Sequence, residues 1–333
     1  MNRSRSTGVL ARRLFTVAMA SLLLAASAVQ AQQAFPSQPI RLIVPAAPGG
    51  STDILARSLA RIMQEQSGVA VIVDNKAGAG GAIGVQAAVQ AAPNGYTLLV
   101  TVPDGVTVLP NLRKDIPYNA ERDLVPIGLI AETSWLFAVN AKLPYKNMKE
   151  LVQAAAAKPG SIRFASPGTG TSAHLITELL GIRNNLQMLH VPYKGAGPAT
   201  TAVIAGEVDL IATSPISLKN FLDSGQLRGL AITGGTRAAA LPAIPTMVEA
   251  GFPDFVASAW FGVFAPAGMP AGRAEKLDEM VSAAVHHPDL QKQIAEMGLD
   301  SRFMSRTDFA RYVTADSARW KQVIEKSRVV VTD

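Results

Sequence analysis

The 333-residue chain has no cysteine and only four histidines, and aromatic residues make up just 6% of it. Without cysteine there can be no disulfide, no thiolate nucleophile and no thiolate metal site. His174, His190, His286 and His287 do not follow a metal-ligand spacing such as HExxH, and no GxSxG nucleophile elbow occurs. No cofactor, no metal and no catalytic residue is therefore assigned. An exported hydrolase acting on a small organic acid derivative stays open as the rival class, because scattered triads leave no local signature. Beyond the N-terminal run, no segment is apolar for the roughly 20 residues that span a bilayer. A basic body is missing too. Arg3, Arg5, Arg12 and Arg13 supply four of the formal net charge of +6, so nucleic acid is not an expected partner.

What is present at the N-terminus is an export signal. Residues 1–13 are basic and free of acids, 14–28 form an Ala/Leu-rich apolar run, and Val29-Gln30-Ala31 offers the small residues that a signal peptidase needs. The pattern predicts a signal peptide over 1–31, cleavage after Ala31 and a periplasmic location. Arg12-Arg13 leaves both the general and the twin-arginine export routes open.

The body alternates strand-like and helix-like segments. Strands are predicted at 40–44, 69–74 and 96–101, with helices at 52–66 and 81–91 between them; Leu55, Leu59, Ile62 and Met63 share one helical face. From Trp135 the pattern restarts, with strands at 162–166, 188–191, 209–213 and 227–232 and helices at 172–180, 196–205 and 216–223. A long strand at 256–265 precedes two helical stripes, one through Leu277, Met280, Val281, Ala284 and Val285, the other through Phe309, Tyr312, Val313, Trp320, Val323 and Ile324. Terminal helices of this kind are expected to pack back on the first domain. The expected fold is α/β, with two similar lobes, each a sheet flanked by helices, and a cleft between them where strand C-termini meet helix N-termini.

Three glycine-rich loops could face that cleft. Ile40 to Asp53 runs strand, Pro/Gly turn, helix start; it is either an anion cradle, whose first-turn N–H groups lack intrahelical partners, or an ordinary βα turn. Asp53 counts against the cradle, since it supplies the helix with its own anion. Residues 75–84 place glycines at Gly78, Gly80 and Gly84, one residue out of step with a dinucleotide fingerprint, which favours a tight turn that lets backbones approach closely. Ser166 to His174 carries hydroxyls and exposed N–H groups suited to a carboxylate, with no phosphate-loop lysine, and the same residues would also make a simple capped helix. In the 190–198 stretch Tyr193 could hydrogen-bond a ligand or wall the cleft, and Lys194 reads as a solvated loop charge. Asp104 lies just past the third strand, where it would repel an acid and pair with an ammonium or a ring N–H; turn chemistry before Gly105 is the alternative. Trp135 could stack on a flat ligand or pack in the core.

Taken together, residues 45–53, 75–84, 93–99, 166–174, 190–195 and 260–266 resemble, in the same order, the Bug family, the TctC-like solute receptors of tripartite tricarboxylate transporters. The resemblance implies a two-lobed, type II-like periplasmic binding protein that closes on a small carboxylated solute and delivers it to the membrane components of such a transporter, or signals to a sensor instead. It also implies that one ligand carboxylate sits at Ala46, Ala47, Gly50, Ser51 and Thr52, often through bridging waters, with Thr169, Gly170, Thr171 and Ser172 answering from the second lobe. Where the family commonly has Phe-Pro, this chain has Ala46-Ala47, which implies a wider pocket and a ligand bulkier than aspartate, such as an aromatic acid or a longer dicarboxylate. The lobes are expected at 32–133 plus 255–333 and at 134–254, in a monomer.

Overall fold

The computed structural model describes residues 35–327 apart from 194, 239 and 254. The predicted signal peptide, its cleavage site and Lys194 lie outside the described residues. No described helix is long and apolar enough to cross a membrane.

Two mixed sheets organise the chain. The first is built from β1 (Ile40–Val44), β2 (Val71–Asn75), β3 (Thr97–Thr101), β4 (Leu124–Ser134), β10 (Ser258–Pro266) and β11 (Asp300–Met304), in the order β11-β4-β10-β3-β1-β2. The second contains β5 (Leu136–Asn140), β6 (Arg163–Ser166), β7 (Leu189–Pro192), β8 (Leu210–Thr213) and β9 (Leu227–Ile232), in the order β7-β6-β8-β5-β9. Both follow one plan. Three parallel strands come first, β2-β1-β3 and β7-β6-β8, followed by an antiparallel strand, β10 or β5, that the chain contributes while crossing between sheets. Two similar halves were legible in the sequence; this shared strand order shows how alike they are.

The helices form where the apolar spacing puts them. Helix Ser51–Ser67 buries Leu55, Leu59, Ile62 and Met63 completely against the first sheet and ends at Gly68, whose φ of 71° a side chain would resist. Helix Ala271–Val285 lays Leu277, Val281 and Ala284 into the same core. β4 has no counterpart among the predicted strands, because Pro126 and Gly128 interrupt its apolar run. β4 is nevertheless eleven residues long, and its pairing with β10 slips between Phe261 and Gly262 and again between Val263 and Phe264, which absorbs both residues.

The strands cross between the two sheets at one place. Trp135 alone separates β4 from β5, and the return passes through Thr233 and Ala257. Thr233 N–H donates to Trp135 O at 2.9 Å, Trp135 N–H to Thr233 Oγ1 at 2.9 Å, Thr233 Oγ1 to Ala257 O at 2.7 Å, and Ala257 N–H to Thr233 O at 2.9 Å. Thr233 is fully buried, so the hinge strands are held by one threonine using both its backbone groups and its hydroxyl.

Helix Arg306–Ser327 is a third tie, and it departs from the expectation that the terminal helices return to the first domain. Phe309 packs with Trp260 and Phe264 of the first sheet, whereas Trp320, Val323 and Ile324 join the core of the second, where Trp320 meets Trp135 edge-on at 6.2 Å. Between them Asp316, 3% exposed, accepts from Trp260 Nε1 at 3.0 Å and Thr107 Oγ1 at 2.7 Å and pairs with Arg319.

Candidate functional site

The loop after β1 leads straight into helix Ser51–Ser67, and its N-cap Gly50 has no side-chain cap. Asp53 does not fill that place. Its carboxylate turns back to accept from Gly49 N–H at 2.8 Å, Asn75 Nδ2 at 2.9 Å and Arg57 Nε at 3.0 Å, while Asn75 also donates to Ala46 O. Burial works against the Asp53 charge, but Arg57, Gly49 and Asn75 outweigh it and hold the carboxyl below its usual range. The acid that counted against the cradle braces the 46–50 turn. Ala47, Gly50 and Ser51 are exposed, Ala46 half-buried against the core, and Thr52 buried.

The 78–84 loop packs behind this one. A Cβ at Gly84 would lie 2.6 Å from Pro45 Cβ and 2.9 Å from Lys76 O, so the glycine permits helix Ala82–Val89 to touch the end of β1. The tight-turn interpretation of these glycines accounts for this geometry.

In the second lobe β6 ends at Ser166, and Thr171 caps helix Ser172–Asn184, its Oγ1 accepting from His174 N–H at 3.3 Å and donating to Gly168 O at 2.9 Å. Across from it stands Asp104, at the start of a π-helical turn, Asp104–Val108, that follows β3. Its Oδ1 accepts from Ser172 N–H at 3.4 Å. This contact joins the C-terminal edge of the first parallel sheet to that of the second. In the described loops around it the cations are already engaged, Arg57 with Asp53 and Lys76 with Asp74. The groups left for an acid are N–H donors at helix starts and hydroxyls, as at Ser51 and Thr169.

Residues 55–329 match the family described as TctC, tripartite tricarboxylate transporter family receptor. The chain belongs to the TctC family. It is 35% identical to protein BugT of Bordetella pertussis over 294 residues, 88% of this chain and 90% of that one. Among solved structures, the periplasmic binding protein BugD superposes with a TM-score of 0.74 at 30% identity, covering 89% of this chain and 99% of the other. Rpa4515 of R. palustris with adipate does so with a TM-score of 0.77 at 30% identity and the same coverage. The fold is thus the two-lobed one of TctC periplasmic solute-binding receptors, and the chain is a receptor of that family.

One contact in this TctC chain has the distance of a nucleophile–base pair: Ser166 Oγ and His190 Nε2 are 2.7 Å apart. Ser166, however, is wholly buried, and its hydroxyl already donates to Gly168 O at 3.0 Å and accepts from Gly168 N–H at 3.1 Å. With that proton committed to Gly168 O, Ser166 Oγ is left to accept a hydrogen bond from His190 Nε2, and the pair shapes the loop. His174 does the same one layer over, Nδ1 accepting from Gly170 N–H at 3.0 Å, and the two imidazoles stack with centroids 3.7 Å apart. Burial, reinforced by His174, pushes His190 down to about 4. Sequence reasoning saw both histidines but not the stack; the signal was a histidine on a strand adjoining Phe164 and another in the first turn of the next helix.

Two candidates leave the set. Trp135 is 5% exposed and its ring serves the core against Trp320, so no face is offered to a ligand. Tyr193 directs its hydroxyl at Glu207 rather than at the 169–172 loop, and burial with the Glu207 charge pushes the phenol up. Of the remaining candidates, Asp104 and Ser172 are brought into contact from the two lobes.

Proposed function

We propose that the mature protein is a periplasmic receptor that captures a small carboxylated solute by closing its lobes, 32–133 plus 255–333 and 134–254, about the Trp135–Thr233 hinge, and delivers it as a monomer to the membrane components of a tripartite tricarboxylate transporter. The observation that supports this is the Asp104–Ser172 contact, which joins the turn after β3 in the first lobe to the start of helix Ser172–Asn184 in the second, in a fold whose strands cross between lobes at Trp135 and Thr233. One ligand carboxylate is held at Ala46, Ala47, Gly50, Ser51 and Thr52, the rest of the ligand by Thr169, Gly170, Thr171 and Ser172. Ala46 and Ala47 leave room for a solute bulkier than aspartate. The adipate-bound neighbour supports a carboxylate as the ligand class. Closure is stabilised by contacts that only the closed state makes, so both lobes contribute to affinity.

Calorimetric titration of the mature chain with mono- and dicarboxylates tests this. Ser51→Ala and Thr171→Ala are each expected to weaken binding several-fold with thermal stability near that of the parent. Equal affinity in both variants and the parent would refute capture between the lobes.

A further inference from the structure

The fold sets a carboxylate of the first lobe against the start of a helix of the second. Asp104 belongs to the first lobe, yet its Oδ1 takes the first N–H of the second lobe's helix, that of Ser172. The start of helix Ser172–Asn184 is thereby served twice from within the protein, by its cap Thr171 and by Asp104. Among the described residues Asp104 forms no ion pair, and the charge that acts on it from the helix packed behind is another carboxylate, Asp316. Burial and Asp316 push the Asp104 carboxyl up, with the Ser172 hydrogen bonds pulling the other way.

We propose that Asp104 makes the cleft selective for a carboxylate carrying a cationic, hydrogen-bond-donating nitrogen at its far end, and selective against a dicarboxylate of the same length. This rests on the receptor function proposed above and names its solute class. An ammonium arriving beside Asp104 pairs with its carboxylate and leaves the Ser172 contact intact. A second ligand carboxylate would meet a like charge at contact distance, in a site where water screens it poorly, and would enter only by placing a proton on Asp104.

Matched pairs that differ only at the far end decide the matter: 6-aminohexanoate against adipate, and 4-(aminomethyl)benzoate against terephthalate, titrated calorimetrically into the mature protein. The amino member of at least one pair is expected to bind tenfold or more tighter than its diacid. Asp104→Asn is expected to abolish that preference, weakening the amino acid and strengthening the diacid. Asp104→Ser removes the same charge with a smaller side chain, and thermal unfolding of both variants verifies that they fold. A diacid that binds the parent more tightly, or a preference unchanged in both variants, overturns the assignment to Asp104 while leaving the receptor function standing. No binding of either class to the parent overturns the receptor function and this selectivity with it.

Discussion

Acidification is expected to loosen the 166–174 loop through His190. In the folded protein the ring stacks against His174 and Phe164, with centroids 3.7 and 4.9 Å away, and its titration is pushed down from 6.5 to about 4. Burial is the larger cause and the neighbouring imidazole the smaller. The other ionisable group of the stack, Glu178, lies 3.5 Å from His174 Nε2 on the far side. The unfolded chain takes up the His190 proton near 6.5 and the folded chain only near 4, so between these values the unfolded state holds more protons. The stabilisation is complete above about pH 6.5 and is lost as pH falls, at about 1.4 kcal/mol per unit. His190 is partly exposed, so the full loss by pH 4 is set at about 2–3 kcal/mol rather than the undiscounted product. Urea unfolding of the parent and His190→Gln from about pH 7.5 to about pH 4.5 measures it, since carboxylates such as Asp53 contribute equally to both curves. The curves should converge by roughly one proton's slope over this window. Parallel curves would show that the stack does not exclude the proton and would refute the reasoning.

Three further outcomes follow from the same geometry. Gly84→Ala drives a Cβ to 2.6 Å from Pro45 Cβ and should cost about 1–3 kcal/mol in denaturant unfolding; parent-like stability would mean that helix Ala82–Val89 can withdraw from β1 freely. Asp53→Ala leaves Gly49 N–H, Asn75 and Arg57 without their common acceptor and should destabilise by about 2–4 kcal/mol, with weaker ligand binding because the 46–50 loop loses its brace; a variant with normal affinity would separate the brace from the site. Thr233→Val deprives Trp135 N–H of its acceptor and Ala257 O of its hydroxyl donor, at about 1–3 kcal/mol, and amide exchange at Trp135 should accelerate; unchanged exchange would place the hinge elsewhere.

The sequence alone determined the element order in both α/β halves, because short β-branched runs and one-sided apolar stripes are local properties: β1, β9 and helix Ala196–Ala205 fall where the pattern put them. It also marked the loops at 45–53 and 166–174, since glycine, proline and hydroxyl residues between a strand and a helix can be recognised without knowing what they face. Only the tertiary structure decided what those residues do. β4 escaped because Pro126 and Gly128 break the local signal, and the pairing with β10 that accommodates them comes from a segment more than a hundred residues away. Asp53 turned out to brace the 46–50 turn, Trp135, a candidate to stack on a flat ligand, packs in the core, and Asp104 meets the first N–H of the second lobe's helix. In each case the partner, whether Asn75, Trp320 or Ser172, is brought there by the fold rather than by the neighbouring sequence. A side chain's charge and shape are written in the chain, but the direction it points and the charge it meets are set by packing.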